Sequence, residues 1–127
     1  MNKILVIDDD KSLLQVMKSV LQLRGFNVAG FRNWEMAYKI MKFFKPQLIL
    51  LDVFLNGTDG LEVCQRLKSS PFTRNIPIIL CSGYPQIAES GIRDYGAADF
   101  IAKPFDSETL LEKIKSLENS SLENQNS

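Results

Sequence analysis

Leu48-Ile49-Leu50-Leu51-Asp52 sets four consecutive aliphatic residues directly before a carboxylate. A continuous apolar run of this length, without polar alternation, fits a strand buried on both faces, as in a parallel sheet covered by helices. Pro46 ends any helix upstream of it. A turn-rich segment, Asn56-Gly57-Thr58-Asp59-Gly60, follows.

The same pattern repeats on both sides. Ile4-Leu5-Val6-Ile7 is a second buried run, and Phe26 to Phe31 is a weaker one. Ile76 to Cys81 is a fourth strand and Phe100-Ile101-Ala102 a fifth. Between them the apolar residues take helical spacing. They are Leu13, Leu14, Met17, Val20 and Leu21; then Met36, Ala37, Ile40 and Met41; then Leu61, Cys64 and Leu67; then Ile87, Ala88 and Ile92. A last helix carries Leu110, Leu111, Ile114 and Leu117. Gly25 suits a left-handed helix stop, and Asp10, Asn33, Asp59 and Asp106 or Ser107 suit helix caps. Strict strand–helix alternation predicts an α/β fold with a parallel five-stranded sheet and helices on both faces.

With 127 residues, the chain has the length of one domain. Residues 1–118 carry the pattern, and 119–127, rich in Ser, Asn, Glu and Gln, read as a disordered tail or the start of a linker. Fifteen basic residues balance fifteen acidic ones, so charge gives no reason to expect nucleic acid or a membrane as partner. There is no apolar span long enough for a transmembrane helix, and the N-terminus meets aspartates too early for a signal peptide. Cys64 and Cys81 lie in apolar runs and read as buried free thiols. A cytoplasmic protein fits these observations. Histidine is absent, which excludes a catalytic or metal-binding His; any phosphohistidine must belong to another molecule.

In an open parallel sheet, ligands bind beyond the carboxyl ends of the strands. There the first strand delivers Asp8-Asp9-Asp10, the third Asp52, the fourth Ser82 and the fifth Lys103-Pro104. Two carboxylates about 4 Å apart repel by roughly 4 kcal/mol at an effective dielectric of about 20. Such a cluster needs positive charge. Lys103 brings one, and all-oxygen donors select Mg²⁺ or Mn²⁺ for the rest. A carboxylate beside such a cation can attack phosphorus to give an acyl phosphate. Ser82 and Lys103 would hold the phosphoryl oxygens.

Taken together, Ile4-Leu5-Val6-Ile7-Asp8-Asp9-Asp10, Leu50-Leu51-Asp52-Val53, Asp59-Gly60, Leu80-Cys81-Ser82-Gly83 and Ala102-Lys103-Pro104-Phe105 resemble the motifs of response-regulator receiver domains over about residues 3–118. The resemblance implies a flavodoxin-like doubly wound fold with strand order 2-1-3-4-5. It implies phosphorylation on Asp52 by a histidine kinase or histidine phosphotransfer protein. Asp8 and Asp9 would position Mg²⁺, with the backbone carbonyl of Phe54 as a further ligand. Ser82 matches the hydroxyl switch residue, Lys103 the phosphate-binding lysine with a cis bond to Pro104, and Phe100 the switch aromatic. Such a domain catalyses only its own phosphorylation and dephosphorylation. It would reshape, and could dimerise through, the face of helix four, strand five and helix five. Asn56 departs from the pattern, standing where proline is usual. Phe54 and Tyr84 are bulky and would flank the phosphate.

Three rivals weigh less. Asp8-x-Asp10 after a strand is similar to the nucleophile motif of haloacid-dehalogenase-type phosphatases. That reading leaves Asp52 without a role and the chain without a later acidic pair or a cap domain. A phosphate-independent receiver-like module would not need all five site residues. A flavin- or nucleotide-binding flavodoxin would need a glycine- or hydroxyl-rich loop after the first strand, where three aspartates stand instead.

Overall fold

A computed structural model of the chain describes residues 2–126, with side chains as far as residue 120. The main sheet consists of β1 (Lys3–Ile7), β2 (Asn27–Phe31), β3 (Leu48–Asp52), β6 (Ile78–Ser82) and β7 (Asp99–Ala102). All neighbours are parallel, in the order β2-β1-β3-β6-β7. Numbered within this sheet alone, that is 2-1-3-4-5, the flavodoxin-like order expected. The labels β4 (Phe54–Leu55) and β5 (Thr58–Asp59) belong to a small antiparallel hairpin. The helices are α1 (Lys11–Leu23), α2 (Trp34–Phe44), α3 (Gly60–Ser69), α4 (Pro85–Tyr95) and α5 (Ser107–Asn126).

The period-two direction of strand side chains divides the core in two. Ile4, Val6, Leu48 and Leu50 face α1 and α5, meeting Leu14, Met17, Leu21, Leu110 and Ile114. Leu5, Ile7, Ile49 and Leu51 face the other way, toward Ala37 and Met41 of α2 and Val63, Cys64 and Leu67 of α3. Every residue of β3 and β6 is buried, as their unbroken apolar runs require. Each such aliphatic side chain contributes about 1.5–3 kcal/mol by leaving water.

Helix ends follow the expected capping chemistry. The side chains of Asp10, Asn33, Asp59 and Asp106 accept hydrogen bonds from the backbone N–H of Leu13, Met36, Leu61 and Thr109. Gly25 lies at φ +89° just past the end of α1. Lys45, at φ 52°, closes α2 ahead of Pro46. β6 begins at Ile78 rather than Ile76, because Pro77 has no N–H to give a ladder. α5 runs as helix from Ser107 through Asn126. No Gly or Pro interrupts the chain after Pro104, and Leu, Glu and Gln sustain a helix well. Residue 127 lies outside the described residues. No helix among the described residues is long and apolar enough to cross a membrane.

Cys64 and Cys81 are free and buried. Burial pushes their thiols up, to about 11 for Cys64 and about 12 for Cys81. Both are therefore expected to resist an aromatic disulfide reagent at pH 8 in the native state and to react fully in denaturant. Rapid native labelling of either would show that the core opens locally.

Candidate phosphoacceptor and metal site

β1, β3, β6 and β7 deliver their terminal residues to one edge of the sheet. Asp8 follows Ile7 and is held there by its N–H, which donates to the Phe31 carbonyl at 3.1 Å. Asp52 is the last residue of β3, in register with Cys81, and Ser82 is in register with Ala102. Lys103 is fixed by its N–H donating to the Ser82 carbonyl at 2.8 Å, and its bond to Pro104 is cis. Asp8, Asp52 and Ser82 are the buried polar residues of the described chain, at 1%, 6% and 1% exposure.

Lys103 bridges the two carboxylates. Its Nζ lies 2.8 Å from Asp8 Oδ2 and 3.2 Å from Asp52 Oδ2. The other oxygen of each carboxylate accepts from backbone: Asp8 Oδ1 from Asp10 N at 2.9 Å, and Asp52 Oδ1 from Phe54 N at 3.2 Å. Burial, and then the charge of Asp8, raise the Asp52 carboxyl above its ordinary range, against the pull of Lys103. Burial alone would lower Lys103. The Asp8 hydrogen bond and the charges of both aspartates outweigh it and hold the ammonium protonated.

Asp8, Asp9 and Asp52 each offer a carboxylate oxygen, all within 4.8 Å of one another. Three hard anionic donors at this spacing, two of them buried, fit a small divalent cation. A single lysine offsets only part of their charge.

The Ser82 hydroxyl is engaged by the turn that follows it. Its Oγ accepts from Tyr84 N at 2.9 Å and donates to the Tyr84 carbonyl at 3.2 Å, so it caps the turn into α4. Phe54 and Tyr84 are both more than half exposed, and their rings meet edge to face at 5.5 Å. Phe100, on β7, is half-buried with Lys113 Nζ 5.4 Å above its ring; Lys113 also pairs with Asp99 at 3.1 Å.

Two supports of the site lie within the Asn56–Gly60 turn and go beyond what its composition shows. Asn56-Gly57 turns the β4–β5 hairpin, which links the Asp52 loop to α3. Two residues of this type between short strands are a hairpin signal in themselves. Gly60 opens α3 against the end of β3, its N–H donating to the Val53 carbonyl at 2.7 Å. A Cβ there would run into the Asp52 carbonyl oxygen and lie 2.7 Å from Val53 Cα. No local pattern signals so close an approach of two backbones.

The chain matches the family described as response regulator receiver domain over residues 4–115. It is 34% identical over 123 residues to RpaA, a DNA-binding dual master transcriptional regulator of Synechocystis sp., covering 92% of this chain and 49% of that protein. The chain thus spans about half the length of such relatives. A receiver domain of a signal transduction histidine kinase from Syntrophus aciditrophicus superposes with a TM-score of 0.83 at 30% identity, covering 94% of this chain and 92% of that one. A response regulator from Chloroflexus aurantiacus gives 0.84 at 29%, covering 91% and 95%. The fold, the carboxylate edge and the match across nearly the whole chain agree: this protein belongs to the receiver-domain family of two-component response regulators.

Proposed function

We propose that the chain accepts a phosphoryl group on Asp52 and uses it to switch a partner or output domain. The observation that carries this is the buried Asp8–Lys103–Asp52 bridge beside a three-carboxylate cluster. Asp8, Asp9, Asp52 and the Phe54 carbonyl would hold Mg²⁺ or Mn²⁺. When bound, the cation supplies positive charge for the cluster and for phosphoryl oxygens.

An oxygen of Asp52 attacks the phosphorus of a phosphohistidine on a kinase or phosphotransfer protein. A P–O bond forms as the donor's P–N bond breaks, and the proton needed by the leaving imidazole stays on the partner's side. Lys103 holds a phosphoryl oxygen by charge. Ser82 would release Tyr84 to reach another. Tyr84 is the cap residue of α4 and has no side-chain cap bond of its own. Withdrawing the Ser82 hydroxyl therefore loosens the start of α4 and lets Phe100 move inward. The face of α4, β7 and α5 changes as a result, for partner binding or homodimerisation. Residues 1–118 form the domain, working in the cytoplasm without direct nucleic-acid or membrane contact, and the only reactions catalysed are its own phosphorylation and dephosphorylation.

The direct test is incubation with Mg²⁺ and a small phosphodonor, followed by intact mass and sizing. One phosphoryl group per chain is expected, and none where the metal is chelated before the donor is added. An unmodified chain under conditions that label an established receiver would defeat the reading. Mg²⁺ alone should also raise the melting temperature, by about 2.7 kcal/mol of stability at a hundredfold excess over its dissociation constant.

Phe54 and Tyr84 bear on the lifetime of the product. Their rings pack on each other next to the backbone that bonds Asp52, and shielding of the acyl phosphate from water by these two bulky side chains would follow. Phe54→Asn and Tyr84→Glu are each expected to shorten the half-life of the phosphorylated form about tenfold, ~1.4 kcal/mol in the hydrolytic barrier. Unchanged decay in both would refute this shielding.

A further inference from the structure

A second concave feature lies away from the acceptor edge. Between α2 and the segment joining α3 to β6 runs a groove of about 1010 Å³. Lys45 and Pro46 lead into the start of β3 and Ile76 into the start of β6, so this end of the groove lies toward the sheet edge opposite Asp52. Its floor includes the buried Met41 and Leu67.

Two properties define what could fill it. The first is aromatic: Trp34, Tyr38 and Phe72 line the groove, and Tyr38 and Phe72 are 58% and 89% exposed. Trp34 and Tyr38 pack on each other at 5.5 Å. Large exposed rings grouped in one concavity mark an interaction site more than scattered surface apolars do. The second is charge. Lys42, Lys45 and Arg66 line the groove and no acidic residue does. Among the described residues, none of these three side chains makes a hydrogen bond or ion pair. The chain as a whole is neutral, so this excess of positive charge is local. On α2, Trp34, Tyr38, Met41 and Lys42 fall at i, i+4, i+7 and i+8, one continuous face, and Lys45 follows as the helix's C-cap.

The volume sits at the upper limit of small-ligand sites, roughly 300–1,000 Å³, and the exposure of Tyr38 and Phe72 leaves it open to solvent. An open groove between a helix and a loop suits a length of polypeptide better than a small molecule that must be enclosed. We propose that this groove docks an acidic amphipathic segment of a partner protein. Its large apolar side chains seat against Trp34, Tyr38 and Phe72, and its carboxylates pair with Lys42, Lys45 and Arg66. The surface is separate from the α4–β7–α5 face and from the acceptor chemistry.

The test is selection from a library of random dodecapeptides on the immobilised full chain with Mg²⁺ and no phosphodonor. Amide-shift mapping of a selected peptide follows. Enriched peptides should be acidic with two or three large apolar anchors, and should shift amides of 34–46 and 66–76. Binding should weaken at least tenfold in Lys42→Glu/Arg66→Glu and in Tyr38→Ala. It should be unchanged in Arg24→Glu/Lys115→Glu, which makes the same charge change at exposed positions elsewhere. Four results overturn the proposal: no enrichment over the blank support, enrichment without acidic character, retained affinity in both groove variants, or shifts of the groove amides by ATP or GTP with no peptide selected.

Discussion

Asp52→Asn is expected to abolish phosphoacceptance, at least a hundredfold by mass labelling, while making the metal-free protein more stable. The two effects share one cause. Asp52 is almost wholly buried, and burial and the Asp8 charge raise its carboxyl despite Lys103. Because the native state holds that proton more tightly than the unfolded chain, stability falls as pH rises from the ordinary carboxylate value through the raised one. Asparagine has no such loss, keeps an acceptor for Phe54 N–H and leaves Lys103 paired with Asp8. Replacing a buried ionised group in this way is expected to add about 1–2 kcal/mol at neutral pH. Denaturant melts in chelator measure it, and Mg²⁺ should stabilise the wild type more than the variant. Labelling of Asp52→Asn with loss in Asp8→Asn would instead favour a dehalogenase-like nucleophile at Asp8.

Gly60→Ala is expected to be the most damaging single-methyl change near the site. Helix propensity alone favours alanine by about 1 kcal/mol. Against it, the new Cβ meets the Asp52 carbonyl and the Val53 backbone, neither of which can turn aside as a side chain would. Overpacking against fixed atoms outweighs propensity, and a net loss of about 3 kcal/mol is expected. For a chain of this size that lowers the melting temperature by about 10 °C. Phosphoacceptance should fall with it, because the carbonyl displaced belongs to the acceptor itself. Asp59→Ala, which removes only the neighbouring helix cap, should be milder on both counts. Equal or greater stability in Gly60→Ala would show that the loop yields.

Much of this architecture was legible because buried parallel strands announce themselves as unbroken aliphatic runs. Their order along the chain then places Asp8, Asp52, Ser82 and Lys103 on one edge without further information. What stayed hidden depends on contacts between distant backbones or on rotamers. The closeness of Gly60 to Asp52 is one such contact. The attachment of Ser82 to Tyr84 is another, since a strand-end serine carries no mark of which way its hydroxyl turns. The β4–β5 hairpin was readable from Asn56-Gly57, but its two-residue strands are too short for periodicity to reveal.

The hydrogen bond from Lys103 to Asp8 spans 95 residues of sequence. It closes the site across β1, β3 and β7, the first, third and last strands of the main sheet in chain order. No nascent chain shorter than this can hold the constellation, and a parallel sheet of such long-range pairings assembles late and slowly. A half-made or misfolded copy therefore lacks the joined Asp8–Lys103–Asp52 bridge on which the proposed phosphoacceptance rests.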